Sequence, residues 1–173
     1  MDERAWLTDA EQRAWRAVVL LQTQLRAVIA RGLQRESGLS ESDYEVLVHL
    51  SEAPDRSLRP YELGERTKWE KSRLSHHLRR MTVRGLVSAV DCPTDNRGTV
   101  IVLTDAGWDA ISAAAPGHVR HVRKAFIDAL SPQELETLGA IGDRLVEVLN
   151  LPIHCADEDA SACDSAEDSL EER

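Results

Sequence analysis

Long apolar runs are missing from this 173-residue chain. No stretch approaches the roughly 20 consecutive apolar residues that a membrane-spanning helix needs, so no membrane partner is expected. The N-terminus, Met1-Asp2-Glu3-Arg4, is charged and no signal-type apolar segment follows it, which points to a cytoplasmic protein. Cysteine is scarce: Cys92, Cys155 and Cys163 are widely spread and odd in number. Such a set does not make a disulfide scaffold and fits a reducing compartment. An overall excess of positive charge is lacking too. The net charge is −9, whereas a nucleic-acid binder usually shows a basic footprint. The rest of the composition is ordinary for a folded protein, and the length suits one compact domain or one domain with a helical extension.

The charge is unevenly placed. Residues 154–173 hold eight acids and one base, in a small-residue, polar stretch that is expected to be a disordered acidic tail. Residues 56–97 hold ten bases and five acids, a net +5. The global figure therefore hides a basic island.

Helix signals dominate the chain. Thr8-Asp9-Ala10-Glu11 is a capping box, in which the Thr hydroxyl accepts from the third amide and the Glu reaches back. The apolar positions Trp15, Val18, Val19, Leu21, Leu25, Val28, Ile29 and Leu33 follow at spacings of three and four and predict a long amphipathic helix to about residue 36. Ser40 to Asp43 open a second helix carrying Tyr44, Val46, Leu47, Val48 and Leu50, which Ala53-Pro54-Asp55 ends. A short helix starts near Pro60, and after a turn over Thr67-Lys68-Trp69 another runs from about Glu70 to Arg84, with Gly85 placed to terminate it. The period then changes. Leu86 to Val90 and Thr99 to Leu103 are short runs rich in β-branched residues, which predict a hairpin whose tip is Asp91 to Gly98. Thr104 can cap a helix through Ile111, Val119, Val122, Phe126 and Leu130, which Pro116-Gly117 should bend or interrupt. Ser131-Pro132-Gln133-Glu134 starts a last helix expected to bury Leu135, Leu138, Ile141, Leu145, Val148 and Leu149. Two short helices joined by a tight turn and followed by a two-stranded ribbon describe a winged helix-turn-helix.

The helix from Glu70 to Arg84 carries the candidate chemistry. Leu74, Leu78 and Met81 form its buried stripe, leaving Ser72, Arg73, Ser75, His76, Arg79 and Arg80 on the other side. That side holds hydroxyls, donors and positive charge, and no acid follows Glu70. A duplex major groove suits it: Arg reads guanine O6 and N7 bidentately, and Ser and His reach bases or phosphates. A helix N-terminus adds backbone donors for phosphate. His77, beside the apolar stripe, is expected to be partly buried and hydrogen-bonded. At the hairpin tip, Arg97 is placed to enter a narrow minor groove. Asp95 braces the loop or the guanidinium, and Gly98 permits a positive φ there.

In Ser72 to Met81, Gly85-Leu86-Val87, Asp95-Asn96-Arg97-Gly98 and Leu103-Thr104-Asp105-Ala106-Gly107 the chain resembles the MarR-type winged-helix transcriptional regulators, over roughly residues 8–150. The resemblance implies a mostly α fold with a small β-hairpin wing. Residues 40–103 would be the DNA-binding lobe, and residues 8–36 and 104–150 a helical dimerisation region. It implies an obligate homodimer on a palindromic operator, acting as a repressor or activator. The two recognition helices would lie in successive major grooves about 34–36 Å apart, with Arg97 in the flanking minor groove. The broad apolar stripes of the first and last helices independently favour dimerisation, being too large for the small lobe to cover.

Peroxide-sensing members of that family carry a reactive cysteine in the first helix, and this chain has none before Cys92. Cys92, at the wing base, is expected to be a bystander. His118 and His121 are spaced as a chelating pair, with His154 and Cys155 as further donors, but a solvated pair is the plainer reading and no metal site is assigned. Trp15, Arg16, Tyr44, His49, Trp69 and Trp108 are expected to be core or surface, so no small-molecule effector site is assigned either, although some members of the family bind one. No cofactor is expected. No nucleophile–base spacing, Gly-rich phosphate loop or metal cluster points to an enzyme. The alternatives to a DNA-binding regulator are a winged-helix protein-interaction module and a metal- or ligand-responsive variant of the regulator.

Overall fold

A computed structural model describes residues 6–91 and 99–150 of the chain. Among them are six α-helices and three strands. They fall into two compact units that divide between Ala129 and Leu130.

The first unit opens with α1 (Asp9–Ser37). Its capping box is formed as predicted: the Thr8 amide donates to Glu11 Oε2 at 2.7 Å, and the Glu11 amide to Thr8 Oγ1 at 3.3 Å. Helix α2 (Glu41–Ser51) starts with the equivalent box of Ser40 and Asp43. A turn of 3-10 helix at Pro54–Arg56 leads to β1 (Ser57–Leu58) and α3 (Pro60–Thr67), and then to α4 (Lys71–Val83). Gly85, at φ 73°, closes α4. The Gly85 amide donates to Thr82 O at 2.9 Å and the Leu86 amide to Met81 O at 3.0 Å, the paired pattern that satisfies the last carbonyls of a helix.

Strands β2 (Val87–Asp91) and β3 (Thr99–Leu103) pair antiparallel, in register from Val87 with Leu103 to Asp91 with Thr99. The sheet has a third member that the sequence reading missed: β1 pairs with β3 through Ser57 with Val102 and Leu58 with Ile101, giving the order β1-β3-β2. The fold class stands, with the two-stranded ribbon corrected to a three-stranded sheet. Two residues are too few to show an alternating pattern, so β1 exists only because β3 offers it an edge. The core lies between α2, α3, α4 and the sheet, where Val46, Leu47, Leu50, Leu63, Met81 and Val87 are fully buried.

Helix α5 (Asp105–Ala125) begins at Thr104, whose hydroxyl accepts from the Gly107 amide at 3.0 Å and lies 2.6 Å from Gly85 O and 3.0 Å from Leu86 O. One side chain thus ties the start of α5 to the end of α4. The approach is close enough that a Cβ on Gly107 would stand 2.0 Å from Leu86 O. The expected bend or break at Pro116-Gly117 is corrected at least as to interruption: α5 is continuous through Pro116. Proline removes one helical hydrogen bond, and the packing of α5 along α1, where Gly32 sits under the His121 ring, holds the helix together across the gap.

Helix α6 (Pro132–Asn150) forms the second unit. Its predicted start is present, with the Ser131 amide donating to Glu134 Oε2 at 2.8 Å and the Glu134 amide to Ser131 Oγ at 3.3 Å. Its expected burial is not. Leu135 is half-buried, but Leu138, Ile141, Leu145, Val148 and Leu149 are exposed in the single chain, Leu149 at 73%. The N-terminal half of α1 behaves likewise: Trp15, Val18, Val19 and Leu21 are exposed, and burial begins only towards Gly32 and Leu33. No helix among the described residues is long and apolar enough to cross a membrane.

Helix propensity alone would make Gly107→Ala stabilising by about 1 kcal/mol. The contact with Leu86 O reverses the sign. Urea unfolding should show Gly107→Ala less stable than the parent by about 1–3 kcal/mol.

Candidate nucleic-acid interface

Helices α3 and α4 meet through a tight turn in which Lys68 adopts the left-handed conformation at φ 55°. The Thr67 hydroxyl donates to Leu63 O at 2.8 Å, and the Trp69 amide reaches the same hydroxyl at 3.4 Å. At the start of α4, Glu70 provides no side-chain cap and the first turn holds no acid. The amides of that turn therefore keep their preference for an anion.

Burial divides α4 in two. Leu74, His77, Leu78 and Met81 face the core, while Ser72, Arg73, Ser75, His76, Arg79 and Arg80 are all exposed. The structure thus brings the six candidate helix residues onto one surface with Lys71, and no acid lies between Lys71 and Val83. The Arg73 guanidinium sits 4.2 Å from the centroid of the Trp69 ring, an arrangement favoured by the ring's quadrupole. An open, mainly apolar groove runs beside this surface between α3, α4 and the β2–β3 ribbon, past Tyr61, Trp69, Leu78 and Ile101. The remaining candidates, Asp95, Arg97 and Gly98, and Cys92 with them, lie outside the described residues.

Beneath the surface is a buried carboxylate that sequence reasoning saw only as a helix cap. Asp43 is 4% exposed. It accepts from the Ser40 amide at 2.9 Å and from Arg84 Nη1 at 2.7 Å, and its Oδ1 lies 3.2 Å from His77 Nε2. His77 is buried, as its place beside the apolar stripe predicted, and Arg80 Nη2 donates to its Nδ1 at 2.8 Å. Arginine has no acceptor, so Nδ1 must accept, which puts the imidazole proton on Nε2, towards Asp43. Burial pushes the Asp43 carboxyl up, but His77, Arg84 and Ser40 together hold it well below the usual carboxylate range.

The histidines of α5 form a separate cluster. Glu36 of α1 lies 3.2 Å from His121 Nε2 and 3.1 Å from Arg120 Nη2, and the His118 ring packs 4.5 Å from Tyr44. Burial, and then the neighbouring His121, pull the His118 pKa down. Among the described residues no group of three His, Cys, Asp or Glu side chains is arranged to hold a metal; His154 and Cys155 lie outside them.

A three-stranded sheet behind a two-helix turn, with an acid-free basic helix exposed, defines a winged helix-turn-helix protein. A sequence model described as the MarR family matches residues 37–98. The HTH-type transcriptional repressor YetL of Bacillus subtilis is 30% identical over 111 residues, which cover 62% of this chain and 66% of that protein. With a second B. subtilis regulator at 65%, the chain spans just under two thirds of the length of the curated relatives it matches. Solved structures match more fully. Sco3205, a MarR family transcriptional regulator from Streptomyces coelicolor solved in complex with DNA, is 41% identical, with a TM-score of 0.81 over 87% of this chain and 94% of that one. AbsC, another MarR family regulator from S. coelicolor, is 40% identical, with a TM-score of 0.79 over 83% and 97%. The chain belongs to the MarR family of transcriptional regulators.

The buried carboxylate makes stability depend on acid. A carboxyl held below its unfolded value of 3.8 contributes fully above that pH and loses its contribution as the pH falls further. Thermal unfolding should therefore show the parent losing stability below about pH 4. Asp43→Asn should be less stable at neutral pH by about 1–3 kcal/mol and should have a flatter acid limb.

Proposed function

We propose that the protein is a sequence-specific DNA-binding regulator that acts as a homodimer on a palindromic operator, with repression, the activity named for YetL, as its mode. In this reading residues 40–103 are the DNA-binding lobe. Residues 8–36 and 104–150 form the dimerisation region, and the acidic tail of residues 154–173 lies outside the described residues. Helix α4 enters the major groove, where Arg73 and Arg80 read guanines, Ser72, Ser75 and His76 contact bases or phosphates, and Arg79 contacts phosphate. Arg97, with Asp95 and Gly98 shaping the wing, enters the minor groove. A cytoplasmic location follows from that role.

The observation that carries the reading is the exposed face of α4, with Lys71, Arg73, Arg79 and Arg80 and no acid among them. A face that was only solvated would gain solubility from mixed signs. A face of one sign in a chain of net charge −9 is suited to a polyanion. The DNA complex of Sco3205 supports this by kinship. Support for the dimer comes from the apolar surface that each terminal helix leaves open, including Trp15 at 61% and Val148 at 58%. Exposed apolar surface of that extent on a monomer marks an interface.

Selecting bound duplexes from a random pool tests the reading directly. The expected product is a palindromic consensus whose half-sites are centred about 10 base pairs apart, bound with an affinity that falls steeply with salt. Arg73→Ala and Arg80→Ala should each cost about 1–3 kcal/mol and relax the preference at one position per half-site. Arg97→Ala should weaken binding to all sequences. An empty selection, or binding indifferent to salt, would overturn the assignment.

The assembly has its own test. Leu145→Asp with Val148→Asp should halve the mass seen by sedimentation and abolish operator binding while leaving the helical circular dichroism in place. A parent protein that sediments as a monomer at micromolar concentration would contradict the dimer.

A further inference from the structure

We infer that the buried His77 is a positioning residue for DNA reading, holding the guanidinium groups of Arg80 and Arg73 in place before DNA arrives. This rests on α4 being the base-reading helix, as proposed above.

Arg73, His77 and Arg80 stand at i, i+4 and i+7 on α4, so they form one stripe with the histidine between the two arginines. His77 is 5% exposed, while both arginines reach solvent. Below the ring lies Asp43, itself held by the Ser40 amide and by Arg84 Nη1, with its Oδ1 near His77 Nε2 but not at the angle of a hydrogen bond. With Nε2 3.2 Å from Asp43 Oδ1, the Nδ1 lone pair points to Arg80 Nη2, 2.8 Å away. That bond uses one of the five guanidinium N–H groups, leaving donors for the O6 and N7 of a guanine. The second arm is aromatic. The His77 ring meets Trp69 edge-on, with centroids 5.3 Å apart and planes at 87°, and Arg73 stacks on the same indole at 4.2 Å. One buried imidazole thus stands behind both arginines, directly for Arg80 and through Trp69 for Arg73. A side chain held in its bound conformation loses less freedom on docking than a free one, and it favours the one base that fits its fixed geometry.

A histidine that only filled the core would behave differently. Replacing it would lower the folded fraction and weaken binding to all duplexes in proportion, leaving the ratio of operator to scrambled-duplex affinity unchanged. A positioning histidine moves that ratio. The experiment measures both affinities with the full chain, using the selected operator and a scrambled duplex of the same length. His77→Asn, too short to span from Asp43 to Arg80, should lower the ratio about tenfold, and His77→Gln, which restores the reach, should recover most of it. In an Arg80→Ala background the Asn effect should shrink, and with Arg73→Ala added it should fall below about twofold, because both contacts it acts through are then gone. A ratio that His77→Asn leaves unchanged, or an effect of equal size in the Arg80→Ala background, overturns the proposal.

Should His77→Asn fail to fold, the parent protein still decides. Its Arg80 Nη signals should be resolved by NMR in the absence of DNA, showing a guanidinium that does not rotate freely. A single averaged signal overturns the tether. A parent with no preference for any duplex overturns the base-reading role of α4 instead, a result distinct from a parent that selects its operator yet ignores the change at His77.

Discussion

The arrangement of the lobe depends on one buried charge. Asp43 sits at the third position of α2, where its carboxylate caps the helix through the Ser40 amide. Removing a carboxylate from water is costly unless it is paired and hydrogen-bonded. Here the compensation comes from α4, by His77 from its middle and Arg84 from its C-cap. Both partners must face α2 at once, and Leu74, Leu78 and Met81 must face the core. A rotation of α4 by one residue, roughly 100°, would break the Arg84–Asp43 ion pair, take His77 from Asp43 and expose the stripe together. The outward orientation of Ser72, Arg73, Ser75, His76 and Arg79 follows from that constraint. The face proposed for DNA is set by what lies behind it.

A second set of contacts fixes the ribbon to the same helix. The end of α4 passes directly into β2 through Gly85 and Leu86, and the chain returns from β3 at Thr104, whose hydroxyl reaches the carbonyls of both residues. Gly107 allows α5 to start close against Leu86. The β2–β3 arms, in register out to Asp91 and Thr99, therefore leave from a point anchored to α4. A wing on such a base is carried with the helix as a unit, which is what reading two grooves at once would require.

Elements that announce themselves locally were legible in the sequence. The boxes at Thr8, Ser40 and Ser131 and the terminator at Gly85 depend on residues within four positions of one another, and all four are formed. The division of α4 was legible because a period of 3.6 separates its faces. What failed to show depends on distant partners. β1 is two residues long and owes its existence to β3. Pro116 carries a local breaking signal that packing against α1 overrides. Asp43 has the pattern of a cap, and nothing near it in sequence reveals that residues 34 and 41 positions away complete its shell. The stripes of α1 and α6 were read correctly as apolar, yet apolarity does not say which chain covers them, and in the single chain they are largely open.

A chain of net −9 is a poor ligand for DNA as a whole, and one lobe with a net +5 between residues 56 and 97 offers a small footprint. In the proposed dimer, two copies paired through their apolar helices would double that footprint. The phosphate-facing potential of such a dimer would come from two basic islands rather than one. Affinity rises with the number of phosphates contacted, so a duplex that engages both islands gains over one that engages a single lobe. In that reading the open apolar stripes of α1 and α6 would serve specificity for a two-fold site, by joining two basic lobes that each offer a small footprint.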